Sequence, residues 1–137
     1  MANFIGLDKG FLLLSTYNSS ATAGALAWRF VKSGGSQGVV DLNTSSSGIV
    51  LGVLQENVDA TKIATTKVVA NVRMAGISKV TAGASVTVYT EIMSDTTGRA
   101  ITAATTSNRV QGLALQAAGA AGDIIDVYLT INGRILP

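Results

Sequence analysis

Hydrophobic positions in this chain alternate with polar ones in short runs, and glycine, serine, threonine and aspartate separate the runs. A period of two broken at such residues predicts strands joined by turns. The most orderly stretch is residues 49–80. It opens on Ile49, Val50 and Leu51 and stops at Gly52-Val53-Leu54-Gln55. After a polar crossing it resumes as an alternating strand through Val68, Ala70, Val72 and Met74, with a glycine step at Ala75-Gly76-Ile77. Residues 109–136 echo this pattern more weakly. There Gly112-Leu113-Ala114-Leu115-Gln116 stands for the first Gly-to-Gln segment, Ile125, Val127, Leu129 and Ile131 for the alternating strand, and Gly133 for the glycine step. Both read as strand, loop, strand units of one antiparallel body.

The remaining segments extend that reading. In residues 21–42, Leu26, Trp28 and Phe30 alternate with Ala27, Arg29 and Val31, which predicts a strand with Trp28 as a core anchor. Ser33-Gly34-Gly35-Ser36 turns the chain into a return strand, Val39-Val40-Asp41-Leu42, and residues 43–48 form a loop. Residues 84–95 predict a half-buried strand with Val86, Val88, Thr90 and Ile92 on one face. Asp95-Thr96-Thr97-Gly98 makes its hairpin and Arg99-Ala100-Ile101-Thr102 the returning partner. No helix is expected. The fold class is all-β, a small antiparallel barrel or sandwich. Residues 2–20 lack a clean period, because Gly6 and Gly10 interrupt the apolar groups at Phe4, Ile5 and Leu7, at residues 11–14 and at Tyr17. Two readings fit them: a first strand of the sheet, or an extended arm laid on a neighbouring subunit by strand addition. The expected division is an N-terminal arm over residues 1–20 and a single β domain over residues 21–137.

Composition narrows the function. The chain has no cysteine and no histidine, only 13% charged residues, and 47% hydrophobic ones. A disulfide framework and a thiolate metal site are therefore excluded, and the commonest general base is missing. The net charge of +2 comes from lysines and arginines scattered singly, without a basic stripe or interleaved aromatic residues, so no nucleic-acid partner is expected. No stretch approaches the roughly 20 apolar residues of a membrane-spanning helix, and the apolar group at residues 11–14 is too short for a secretory signal, although Ala21-Thr22-Ala23 resembles a cleavage site. The expectation is a soluble protein made in the cytoplasm, with no membrane partner. A surface so poor in charge predicts that much of the exterior is covered by copies of the chain or by a partner, as in an assembly protein.

Candidate chemistry is thin. Asp123 and Asp126 point to opposite faces of a strand, and Asp95, Thr97 and Gly98 share only their composition with a calcium loop. Gly119 and Gly122 lack the lysine and the following helix of a phosphate loop. The serines have no histidine to activate them. No catalytic residue, metal or cofactor is expected, and the chain reads as non-enzymatic. Two alternatives come from other classes. One is a β binding module of a virion or cell surface, such as a tail, spike or carbohydrate-binding domain, which predicts a concave site with exposed aromatic residues. The other is a hydrolase or transferase with converging carboxylates.

A series of short motifs adds a resemblance. Phe30-Val31-Lys32, Gly38-Val39-Val40, Gly52-Val53-Leu54-Gln55, AGISKV at residues 75–80, TAGASV at 81–86, SDTTGRAITA at 94–103 and VQGLALQAAGAAGDIIDVYL at 110–129 follow one another in order. Over roughly residues 21–131 this series resembles the capsid cement, or head decoration, proteins of tailed phages. The chain departs from that family at Thr87-Val88-Tyr89-Thr90-Glu91, where relatives often carry a Gly-Asp pair. The resemblance implies a β-tulip type barrel on the outer surface of the virion head, bound to the major capsid protein. It also implies homotrimers at three-fold and quasi-three-fold positions, without catalysis or cofactor. Within it, Phe4, Leu7, Phe11, Leu13 and Tyr17 of the arm are the expected capsid or subunit contacts, and Ala117, Ala118, Gly119, Ala120 and Ala121 the expected trimer contacts, since small residues let backbones approach closely.

Overall fold

The longest strand of the molecule runs through both halves of it. The computed structural model describes residues 6–17, 24–65, 67–104, 106 and 108–137. In chain order the elements are β1 (Leu7–Leu13), β2 (Phe30–Ser33), β3 (Val39–Leu42), β4 (Gly52–Leu54), α1 (Ala60–Thr65), β5 (Val69–Thr81), β6 (Glu91–Ser94), β7 (Ala100–Thr102), β8 (Arg109–Ala114) and β9 (Ile124–Ile135). The first part of β5 pairs with β1 as far as Ala75, and from Gly76 onward β5 pairs with β9. Gly76 lies at φ 94°, a left-handed conformation that glycine adopts without a Cβ clash, so the chain bends there and changes partner without ending the strand.

Around β5 the strands form two five-strand units. In the first, the order β1-β3-β2-β4-β5 closes on itself through the β1–β5 pairing, giving a barrel whose single parallel contact is β1 with β3. In the second, the order is β5-β9-β8-β6-β7, and a parallel bridge between Ala82 and Ala100 brings β7 back to the end of β5.

The two units match in register, residue by residue. Phe30 opposite Val53 and Val31 opposite Gly52 answer to Glu91 opposite Leu113 and Ile92 opposite Gly112. Ser33 opposite Val40 answers to Ser94 opposite Ala100, and Leu13 beside Val40 to Ala82 beside Ala100. The β1–β5 pairs Phe11–Ala70 and Asp8–Arg73 answer to the β5–β9 pairs Val80–Ile125 and Ile77–Tyr128. Even the loops agree: the isolated bridge Ala25–Val58 recurs as Val86–Ala118, and the bond from the Trp28 N–H to the Leu54 carbonyl recurs from Tyr89 to Ala114. The echo between residues 49–80 and 109–136 is thus the visible part of a duplication in which β5 ends one copy and begins the next, although in this register Gly76 answers to Ile131 and not to the expected Gly133.

Each unit has its own core. Phe11, Leu13, Val31, Val40, Leu54, Ala70 and Val72 fill the first, and their equivalents Val80, Ala82, Ile92, Ala100, Ala114, Ile125 and Val127 the second. What completes each core differs. Tyr17 and Ile63 of α1 complete the first, whereas Phe30, Val50 and Val53 of the first unit complete the second. Successive residues of β2 and β4 point to opposite faces, so Val31 and Leu54 look into one core and Phe30 and Val53 into the other. This shared wall joins the units.

Several expectations are corrected. The segment expected as an arm is, over Leu7–Leu13, a barrel strand, because Phe11 and Leu13 lie on the face that meets the core and the backbone is paired on both edges. A helix exists at Ala60–Thr65, with Asp59 accepting from the Thr61 N–H in the manner of an N-cap. Trp28 is not on a strand: β2 begins at Phe30, and Trp28 lies half-buried at φ 64°. The strand expected through residues 84–95 is only Glu91–Ser94, because Tyr89 at φ 62° breaks the alternation. Both breaks follow from the duplication, which puts an aromatic residue in left-handed conformation just before β2 and β6.

Candidate interaction surface

The outer face of the second unit carries an apolar row. Ile77 on β5, Tyr128 on β9 and Leu113 on β8 stand directly opposite one another in register. Tyr128 is 49% exposed and Ile124, four residues before it on the same face, is 51% exposed. Ile77 and Leu113 are half-buried. Tyr89, 72% exposed, is fixed beside β8 by the bond from its N–H to the Ala114 carbonyl. The row ends at Glu91, opposite Leu113, which accepts from Arg134 Nε at 3.0 Å. The hydrogen bond from Arg134 holds the Glu91 carboxyl below its ordinary value.

The first unit treats the same positions differently. Where the second has Ile77 and Tyr128, the first has Asp8 and Arg73, joined by hydrogen bonds from Nε and Nη2 to the two carboxylate oxygens at 2.7 and 3.2 Å. In place of Leu113 and Glu91 it has Val53 and Phe30, both fully buried against the second unit. The duplication therefore leaves this face covered or charged in one copy and apolar and open in the other.

The residues expected from the sequence are distributed as follows. Phe11, Leu13 and Tyr17 lie in the core of the first unit, so they hold the barrel together and present almost no surface to a partner. Leu7 is 63% exposed at the start of β1, and Phe4 falls outside the described residues. Ala118 is buried, where it bridges Val86. Ala117, Gly119, Ala120 and Ala121 are exposed in the turn before β9, which Asp123 fastens by accepting from the Gly119 and Ala120 N–H groups at 2.8 and 3.2 Å. The row of Ile77, Leu113 and Tyr128 was not singled out from the sequence. Its signal was present at Tyr128, an aromatic residue on the outward phase of a strand whose inward phase is Val127 and Leu129.

Among the described residues no helix is long and apolar enough to cross a membrane, and no group of three or more acidic side chains stands together as a metal site. No protein-family model matches the chain, and no curated protein matches it in sequence. Among solved structures, the N base of the head fiber protein gp8.5 of bacteriophage phi29 has a similar fold. The two share a TM-score of 0.63 at 16% sequence identity, over 92% of this chain and 95% of that one. The likeness spans both units and establishes the fold.

Proposed function

We propose that this chain is a structural protein of a phage virion, of the head decoration or cement type, which binds the outer surface of the capsid through the open face of its second unit. The observation that carries the reading is that the fold is shared, over nearly the whole of both chains, with a protein described as the base of a phage head fiber. The ordered motif series resembling cement proteins and the charge-poor surface support it independently. The partner is the major capsid protein, with self-association as a trimer at three-fold and quasi-three-fold positions. The work done is mechanical and needs neither catalysis nor cofactor.

The geometry suits that task. The first unit, closed by its β1–β5 pairing, exposes no free sheet edge, which limits edge-to-edge aggregation of a protein present in many copies. Tyr128, flanked by Ile77 and Leu113, supplies the kind of aromatic anchor on which interface energy concentrates. Modest contacts repeated by each subunit of a trimer add through effective concentration, so the assembly holds a shell that no single contact would hold.

Co-sedimentation with undecorated, expanded heads of the cognate phage, beside light scattering of the free protein, tests the reading. The expected result is saturable pelleting at a fixed ratio to the capsid protein, from a species of trimer mass. A well-folded protein that stays in the supernatant at every concentration overturns it.

A further inference from the structure

A cleft of about 220 Å³ opens where the two units meet. One wall comes from the first unit, with Trp28, Gln55 and Arg73, and the other from the second, with Ile77, Lys79 and Asp126. Junctions between packed units are a usual place for ligand sites. Beyond Gly76, β5 runs on beneath Trp28, where the Thr81 N–H donates to the Trp28 carbonyl.

The polar groups of the cleft divide into those already occupied and those still available. Arg73 is committed to Asp8 and to the Ile77 carbonyl. The Gln55 amide nitrogen donates to the Val53 carbonyl and to Ser78 Oγ, which leaves its carbonyl oxygen as an acceptor. Lys79 and Asp126 stand opposite each other on β5 and β9, yet among the described residues neither side chain is engaged in an ion pair or hydrogen bond. The indole N–H of Trp28 likewise donates to no described group. The available set is therefore one cationic donor, one anionic acceptor, one amide acceptor and one indole donor around an apolar floor of Trp28 and Ile77.

We propose that this cleft binds a single neutral hexopyranose ring, the terminal sugar of a surface glycan. An anion meets Asp126 and a cation meets Lys79, so the paired charges disfavour both. A sugar has hydroxyls that donate to Asp126 and Gln55 and accept from Lys79 and Trp28, and a face of C–H groups that lies against the indole and Ile77. The cleft has room for one ring and is open to solvent on the side where the rest of a glycan continues. The left-handed backbone of Trp28 belongs to the fold, since Tyr89 shares it.

Trp28 is the only tryptophan, so its fluorescence reports on the cleft directly. The full chain is titrated with the methyl glycosides of glucose, galactose, mannose and N-acetylglucosamine, with glycine betaine, acetate and methylammonium as charged probes. The expected result is a saturable change in Trp28 emission with at least one glycoside. In Asp126→Asn and in Lys79→Met it weakens about tenfold, the loss of one charge-assisted hydrogen bond, while the melting temperature is unchanged. No saturable change with any glycoside from the folded protein overturns the proposal. So does a response to the charged probes alone, or a glycoside response in both variants as strong as that of the wild type. Head binding is measured separately, so either proposal can fail without the other.

Discussion

The two units of this protein share a strand diagram and differ in what their outer faces meet. In the first, β2 and β4 carry large apolar residues outward, Phe30 and Val53, and the second unit covers them. In the second, the equivalent wall carries Glu91 and Leu113, and no described part of the chain covers it. At the next position along, an ion pair between Asp8 and Arg73 is replaced by Ile77 and Tyr128. One copy has been specialised for joining its twin and the other for facing outward. A duplication without that divergence would present the same sticky wall twice, and a head-to-tail contact that does not close makes a filament.

The comparison is most sharply broken at the shared wall. Phe30→Ala removes a fully buried side chain from the core of the second unit. A loss of about 3–5 kcal/mol is expected, seen as a fall in melting temperature of roughly 10 °C or more. Glu91→Ala, at the equivalent exposed position, is expected to leave the melting temperature almost unmoved. A smaller and more symmetrical effect is expected at the paired glycines. A Cβ on Gly52 would overlap the Arg73 carbonyl and the Val72 side chain, and one on Gly112 the Tyr128 carbonyl and the Val127 side chain. Gly52→Ala and Gly112→Ala should each lower stability by about 1–3 kcal/mol in urea titrations, and by similar amounts, because the two sites are equivalent.

The clamp between units comes next. The Asn132 side chain accepts from the Val50 N–H at 3.0 Å and donates to the Val50 carbonyl at 2.8 Å, tying β9 to the segment before β4. Asn132→Ala leaves both groups unpaired, and a shift in urea midpoint worth about 1–2 kcal/mol is expected. The smallest effect belongs to Tyr17, which with Ile63 completes the first core. Its hydroxyl is buried with no partner, and that burial, with help from Asp41, pushes its pKa upward. The neutral form is favoured in the fold, so its stabilising contribution is complete below the unfolded value near 10. It declines as pH rises above that value, by up to about 1.4 kcal/mol per pH unit. Tyr17→Phe should match or exceed the wild type at neutral pH and lose less stability than it between pH 10 and 11.

Much of this architecture was legible in the sequence, and the repeat was its clearest part. Gly52 and Gly112 stood out because each is followed by apolar residues and a glutamine, and they prove to be the places where one strand crosses close to the next backbone. The all-β class followed from the period of two. Trp28 and Tyr89 were misread for one shared reason: each continues an apparent alternation, while a long-range bond to Leu54 or Ala114 holds the backbone left-handed. The first strand was ambiguous because Gly6 and Gly10 hide its period. Only its pairing with both β3 and β5 shows that Phe11, Leu13 and Tyr17 serve the barrel. The open face was the least legible, since exposure at Ile77, Leu113 and Tyr128 acquires meaning only against the covered face of the other unit.

The central claim is that the outward face of the second unit, not that of the first, meets the capsid. The most direct measurement is co-sedimentation with undecorated heads of three proteins side by side: the wild type, Tyr128→Arg in the second unit, and Val69→Arg at an exposed position of the first. The account predicts saturable binding for the wild type and for Val69→Arg, and for Tyr128→Arg a loss of at least about thirtyfold, the scale of an aromatic anchor. Binding by Tyr128→Arg equal to the wild type, with loss in Val69→Arg, would contradict it.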